Sequence, residues 1–177
     1  MSLTDFDFEL LTEEFDLSKF DCDDQDINEF LKEDALNNQR EQMANTYIFH
    51  QGKEVKAFFS ILNDCLHDKG YEPNVWNKFH RKRIPNSKRI KHYPAVRVGR
   101  LGVCKELQGS GVAYELMDFI KGYSIMELKP ACRLLLLDAY NKPKQIKYYT
   151  QNGFIFLDER NVKDTTRLMY YDLIQLK

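Results

Sequence analysis

Gly109 and Gly111 flank Ser110 in the run Gln108-Gly-Ser-Gly-Val-Ala113, where an apolar stripe of helical spacing begins. The opening turn of a helix has amides without internal partners and a partial positive charge. Glycines let those amides approach an anion closely, so this run can hold a phosphate without a basic side chain. Two common phosphate patterns fail on residues. A P-loop needs Lys and then Ser or Thr after its second glycine, and here Val112 and Ala113 follow. A dinucleotide fingerprint needs Gly or Ala three places after its second glycine, and Tyr114 stands there. The plain alternative is a glycine turn chosen only for tight packing.

Other groups that could do chemistry are sparse. Asp138 ends an aliphatic run and Glu106 sits near the glycine turn, but such residues are more often solvated or capping carboxylates, so no general base stands out. Arg100 either contacts a substrate or pairs with a carboxylate. His50, His67, His80 and His92 lack ligand spacing, and Cys22, Cys65, Cys104 and Cys132 form no C-x-x-C pair, so neither a metal nor a disulfide framework is indicated. Trp76 and Phe79 lie one helical turn apart. They read as a hydrophobic anchor or, more sharply, as a stacking platform for bases.

The elements that must position these groups follow from periodicity. Phe6 to Leu11 predicts a strand. Asp23 and Asp24 can cap a helix in which Ile27, Phe30, Leu31 and Ala35 recur at helical spacing, to about Gln42. Asn45–His50 and Val55–Leu62 predict a hairpin across Gln51-Gly-Lys-Glu54. Residues 64–94 lack a clean period and read as a long basic loop. Ala95 to Val103 is a strand whose alternation slips near Gly99, as a β-bulge would make it. Ser110 to Met126 is a helix with Val112, Ala113, Leu116, Met117 and Ile120 on one stripe. Leu134 to Leu137 is a strand covered on both faces. Asn141 can cap a helix with Pro143 in its first turn, and Asn152-Gly153 ends it. Phe154–Leu157 and Arg167–Leu173 close the chain. The order predicts an α/β (α+β) fold: a mixed central sheet with helices on both faces.

The 177 residues suit a single domain spanning 1–177, large enough to bury about 70% of its unfolded surface. Net charge is -1, from 26 Lys+Arg and 27 Asp+Glu, so overall charge steers the chain toward neither nucleic acid nor membrane. Locally the chain is polarised. Acidic residues crowd Met1 to Asp34, whereas Lys69, Lys78, Arg81, Lys82, Arg83, Lys88, Arg89 and Lys91 face only Glu72 in their stretch. No apolar run approaches the roughly 18 residues of a membrane helix, and a cytoplasmic setting is the expectation.

Gln108, Gly111 and Ala113, after a strand with Leu101 and Val103, resemble the acyl-CoA-binding motif of the GCN5-related N-acetyltransferase (GNAT) superfamily. A second stretch resembles that family's other landmark: Asn141 followed by a helix carrying Tyr148-Tyr149 and then Gly153-Phe154. Phe20-Asp-Cys22, Phe30-Leu31, Ala35-Leu-Asn-Asn38-Gln39 and Gly99-Arg100-Leu101 are similar to one branch, the acetyltransferase toxins of bacterial toxin–antitoxin pairs. Two departures stand out: such toxins are typically basic overall, and Asp23 replaces a glycine often found after the Cys.

The resemblance implies a cofactor cleft where parallel strands Ala95–Val103 and Arg133–Ala139 splay apart. It implies acetyl-CoA as co-substrate, without metal, and direct transfer of the acetyl group to a primary amine. The cofactor would be bound by Leu101 and Val103 through their backbone, by Gln108, Gly109, Ser110, Gly111, Val112 and Ala113 at the pyrophosphate, and by Asn141 near the thioester. Tyr149 would be catalytic, protonating the leaving thiolate, unless it is simply a core aromatic in phase with Ile146. Arg100 and Asp138 would face the acceptor. Partners would be an amine that extends to the α-amine of aminoacyl-tRNA, an antitoxin and a second copy of the chain, with no membrane. The competing readings are acetylation of a small-molecule or protein amine, and a non-catalytic acyl-CoA-binding or RNA-binding module.

Overall fold

The computed structural model describes residues 1–81, 90–160 and 162–177. Seven strands form one sheet in the order β1-β2-β3-β4-β5-β7-β6. They are β1 (Asp7–Leu10), β2 (Asn45–Gln51), β3 (Glu54–His67), β4 (His92–Val103), β5 (Leu134–Tyr140), β6 (Ile155–Phe156) and β7 (Thr166–Asp172). The helices are α1 (Gln25–Glu29), α2 (Ala35–Arg40), α3 (Pro73–Arg81), α4 (Val112–Met126) and α5 (Pro143–Gln151). This is the mixed α/β fold that the order of elements predicted. The chain divides into two compact units: Met1–Asn63 with Arg97–Tyr123, and Asp64–Val96 with Ser124–Lys177.

In the first unit, β1, β2 and the long part of β3 pair antiparallel. The pairing of β2 with β3 shifts register between Phe49 and His50, a bulge for which the sequence carries no mark. Val112, Leu116, Met117 and Ile120 are buried, as the stripe on α4 predicted, while Ala113 is half-buried. Burying each large side chain is worth about 1.5–3 kcal/mol. Phe8, Phe49 and Phe59 meet Phe119 of α4 with ring centroids 4.6, 4.9 and 6.2 Å away. Asp24 caps α1 by accepting from the Ile27 amide at 3.3 Å. The helix then loosens into a π-helical turn, Phe30–Asp34, before α2. A Cβ placed on Gly102 would stand 2.8 Å from Phe58 Cε1 and 3.0 Å from Ile27 Cγ2. Hence α1 rests directly on the backbone of β4.

In the second unit, β5 pairs antiparallel with β7, and β7 with β6. Leu134 to Leu137 are all buried, as an aliphatic run in a covered strand should be. Arg133 closes a two-point ion pair on Asp172, at 2.7 and 3.1 Å. Among its described residues, the stretch read as a loop at about 64–94 has more secondary structure than its composition suggests. It contains the end of β3, the helix α3 and the start of β4. Trp76 and Phe79 are buried with Leu66, Tyr93, Leu136 and Tyr170, so they serve as the hydrophobic anchor and are withdrawn from stacking on a ligand. Their apolar face holds α3 in place although its other face is basic. Lys82, Arg83, Lys88 and Arg89 of the predicted basic cluster lie outside the described residues.

Candidate cofactor and active site

The glycine turn leaves β4 through a short 3-10 turn, Lys105–Leu107, and enters α4 at Val112. The Leu107 amide donates to Cys104 O at 3.0 Å, the Gln108 amide to Lys105 O at 3.2 Å and the Ser110 amide to Leu107 O at 3.3 Å. Among the described residues, the amides of Gly109, Gly111 and Val112 have no acceptor. Gly109 and Gly111 adopt φ of 80° and 96°, the left-handed region that a side chain resists, and open space surrounds the Cβ position of each. The turn therefore presents bare N–H groups at the positive end of a 15-residue helix. That arrangement can receive a phosphate.

Side chains hold the turn from outside. Gln108 Nε2 donates to Cys22 O at 2.8 Å and, more weakly, to Val103 O at 3.4 Å. The Lys105 amide donates to Asp21 O at 2.8 Å. Asn28 bridges the same segment, accepting from the Cys22 amide and donating to Asp21 Oδ1. Asp23 explains the departure noted in the sequence. Its φ is 61°, a conformation glycine adopts freely, and its carboxylate pairs with Lys105 at 2.7 Å. An ion pair to the turn thus accompanies the strain. None of these ties carries a spacing signal. Those that tie the turn to the Asp21–Asp23 segment join residues more than eighty positions apart, such as Cys22 and Gln108.

Arg100 precedes the turn on β4. Its Nη1 donates to Gly99 O at 3.0 Å, its Nε lies 3.2 Å from Asp26 Oδ2, and its guanidinium sits 5.7 Å from the Phe30 ring centre. Of the two options open in the sequence, the carboxylate pairing is present, with a partner on α1. Glu106 pairs with Lys56 at 3.3 Å.

The second unit holds Asp138, Asn141 and Tyr149. Asp138 is exposed on β5 opposite Leu168. Asn141 does not cap α5: Lys142 is the N-cap residue, without a side-chain bond. The Asn141 amide group instead donates to Val162 O at 2.8 Å and Asp164 O at 3.0 Å, clamping the connection that leads into β7. Long-range carbonyls outcompeted the local cap. Tyr149 is half-buried on α5, edge-on to Tyr148 at 5.0 Å and to Phe154 at 6.0 Å. Desolvation pushes its phenol up from 10.0 to about 12. Its hydroxyl has no hydrogen-bond partner among the described residues. Gly153 terminates α5 at φ 79°, as its position after Asn152 predicted.

The structure thus groups Arg100, Leu101, Val103 and Gln108 to Ala113 in one unit, and Asp138, Asn141 and Tyr149 in the other. The histidines have other partners: His50 with Gly52 O and Glu9, His80 with Tyr93 Oη, His92 with Cys65, and His67 edge-on to His92 at 6.4 Å. Among the described residues no His, Cys, Asp and Glu cluster could hold a metal. No helix among them is long and apolar enough to cross a membrane.

No family model matches the chain. Solved structures do. AtaT complexed with acetyl-methionyl-tRNAfMet superposes with a TM-score of 0.73 at 23% identity, covering 97% of this chain and 96% of that one. A Tyr-to-Phe mutant of KacT gives 0.72 at 23% identity over 97% and 99% of the two chains. AtaTR bound with AcCoA gives 0.70 at 24% identity over 97% and 95%. Likeness at such identities is likeness of fold, and over nearly its whole length this chain shares the GNAT fold with AtaT and KacT.

Proposed function

We propose that the chain is an N-acetyltransferase that moves an acetyl group from acetyl-CoA to a primary amine by direct transfer, and that its acceptor is the α-amine of an aminoacyl-tRNA. The observation that carries this reading is the set of bare amides at Gly109, Gly111 and Val112 where α4 opens, in a chain with the GNAT fold. Those amides would hold the coenzyme A diphosphate, with Gln108, Ser110 and Ala113 shaping the turn. The backbone of Leu101 and Val103 would pair with the pantetheine arm, as an added strand does. Asn141 would serve near the thioester, and Arg100 and Asp138 toward the acceptor.

Acetyl-CoA supplies an activated thioester, and the proton balance then closes by itself. The amine gives up one N–H proton and the departing thiol gains one. Tyr149 acts here as a hydrogen-bond donor rather than as a strong acid. With the phenol near 12 and a thiol near 8.5, complete proton transfer runs uphill by about 5 kcal/mol. A phenol that stays protonated can still stabilise the thiolate as its charge develops. That no general base stands out among the described residues fits the acceptor. At pH 7.5 about a third of an α-amine is uncharged, against about 0.1% of a lysine amine. Support for a tRNA acceptor comes from the fold neighbours: AtaT has been solved with acetyl-methionyl-tRNAfMet, and with the C-terminus of the antitoxin AtaR. An antitoxin partner is proposed on the same ground, and a cytoplasmic setting follows from a tRNA substrate.

The test has two steps. Acetyl-CoA is titrated calorimetrically into the protein, and labelled acetyl-CoA is then incubated with the protein and charged tRNA. Heat of binding with label on the RNA establishes the reading. Binding with label only on small amines keeps the enzyme and removes the tRNA. No binding at near-millimolar ligand removes both.

A further inference from the structure

Arg100 and Gly102 share the face of β4 that α1 covers, because the Cβ position of Gly102 meets Ile27 while the Arg100 side chain reaches Asp26 and Phe30. The guanidinium is only half used. Nη1 is taken by the carbonyl of Gly99. Nε is buried and lies 3.2 Å from Asp26 Oδ2, but off the line that a hydrogen bond requires, so it is left without one. Nη2 has no acceptor among the described residues. The Nε–Nη2 edge is the side of arginine that matches two oxygens of a phosphate or carboxylate. Nε itself is covered while the side chain as a whole is 38% exposed, so an anion reaches that edge only as Asp26 gives way. Phe30, in the π-helical turn, backs the planar group with its ring. Such turns interrupt helices frequently at functional positions.

We infer that the Nε–Nη2 edge of Arg100 is a receptor for a phosphate group on the acceptor, held in waiting by a misaligned carboxylate on Asp26. The incoming anion supplies the in-line acceptor that Asp26 does not, and Asp26 is displaced. Phe30 keeps the guanidinium in plane during the exchange. This rests on the acetyl-transfer reading for its biological role, since it makes the acceptor a phosphate-bearing molecule such as a nucleotide-linked amine. The anion site itself is a property of β4, α1 and the turn after it.

Binding of adenosine 5′-monophosphate and of adenosine, measured by calorimetry with and without saturating coenzyme A, tests it independently of catalysis. The monophosphate is expected to bind with coenzyme A present, and adenosine at least tenfold more weakly. Arg100→Gln weakens the monophosphate at least fivefold without altering coenzyme A affinity, and Arg100→Lys, which keeps the charge but not the fork, recovers part of it. Asp26→Asn removes the competing carboxylate and tightens it severalfold. Equal affinities for monophosphate and nucleoside, or an unchanged monophosphate affinity in Arg100→Gln or in Asp26→Asn, overturn the proposal. Failure of coenzyme A to bind would instead strike the acetyltransferase reading, with the response of the monophosphate to Arg100→Gln still deciding the anion site.

Discussion

The glycine turn of the first unit and the Tyr149 helix of the second are built on opposite principles. The turn is polar and stitched from outside: Gln108, Asp21, Asn28 and the Asp23–Lys105 pair hold a backbone in which the Gly109, Gly111 and Val112 amides have no acceptor among the described residues. Its power to attract charge is fixed by peptide dipoles that cannot titrate. Tyr149 is held by rings, Tyr148 and Phe154, and its chemistry is set by desolvation. Substitution should therefore break the first through backbone geometry and the second through a single hydroxyl, with little exchange of symptoms.

The largest effect is expected from Tyr149→Phe, which keeps the ring contacts and deletes the donor. Acetyl transfer should slow by about 10² to 10³, while calorimetric affinity for acetyl-CoA stays within twofold. A fall in affinity instead would place Tyr149 among the binding groups and erase the contrast. Next comes Gly111→Val, which forces a β-branched residue to φ 96°. Acetyl-CoA affinity should fall about tenfold or more, and strain of about 2 kcal/mol should lower the Tm by roughly 4–8 °C. An unchanged affinity would mean that the turn is packing only.

A smaller effect sharpens the role of desolvation. The Tyr149 phenol is raised in the folded chain, so its contribution to stability is full below about pH 10 and is lost as the pH climbs toward 12. Denaturant midpoints followed from pH 9 upward should fall more for the natural chain than for Tyr149→Phe, the difference approaching about 2 kcal/mol. Parallel curves would show that the ring is wetter than its surroundings imply. Smallest is Asp23→Gly. It relieves a left-handed residue, a gain of about 1 kcal/mol, and removes an exposed pair worth about 0–1 kcal/mol. Denaturation should find a net change below about 1 kcal/mol.

Much of this was legible in the residues. The stripe on α4, the aliphatic run in β5 and the glycine after α5 are local signals, and each produced the element it announced. The glycine turn was legible because its conformation is a backbone property that Gly109 and Gly111 announce directly. What escaped depends on distance. Charges around Trp76 and Phe79 masked α3 as a loop, although two buried rings suffice to seat it. Asn141 looked like a cap until carbonyls at Val162 and Asp164 claimed it. The π-helical turn at Phe30–Asp34 shifts the helical phase with no compositional mark. The pairing of Arg100 with Asp26 was invisible for the same reason, since nothing in either segment names the other.

Gly102 has a consequence for how this chain can diverge. With Phe58 Cε1 and Ile27 Cγ2 crowding the space where a methyl group would go, the three positions share one small volume. A descendant that acquires alanine there must trim the phenyl ring or the isoleucine in compensation, or slide α1 along the strand and carry Asp26 away from Arg100. Across related chains, these three sites should therefore drift as a coupled set rather than one by one.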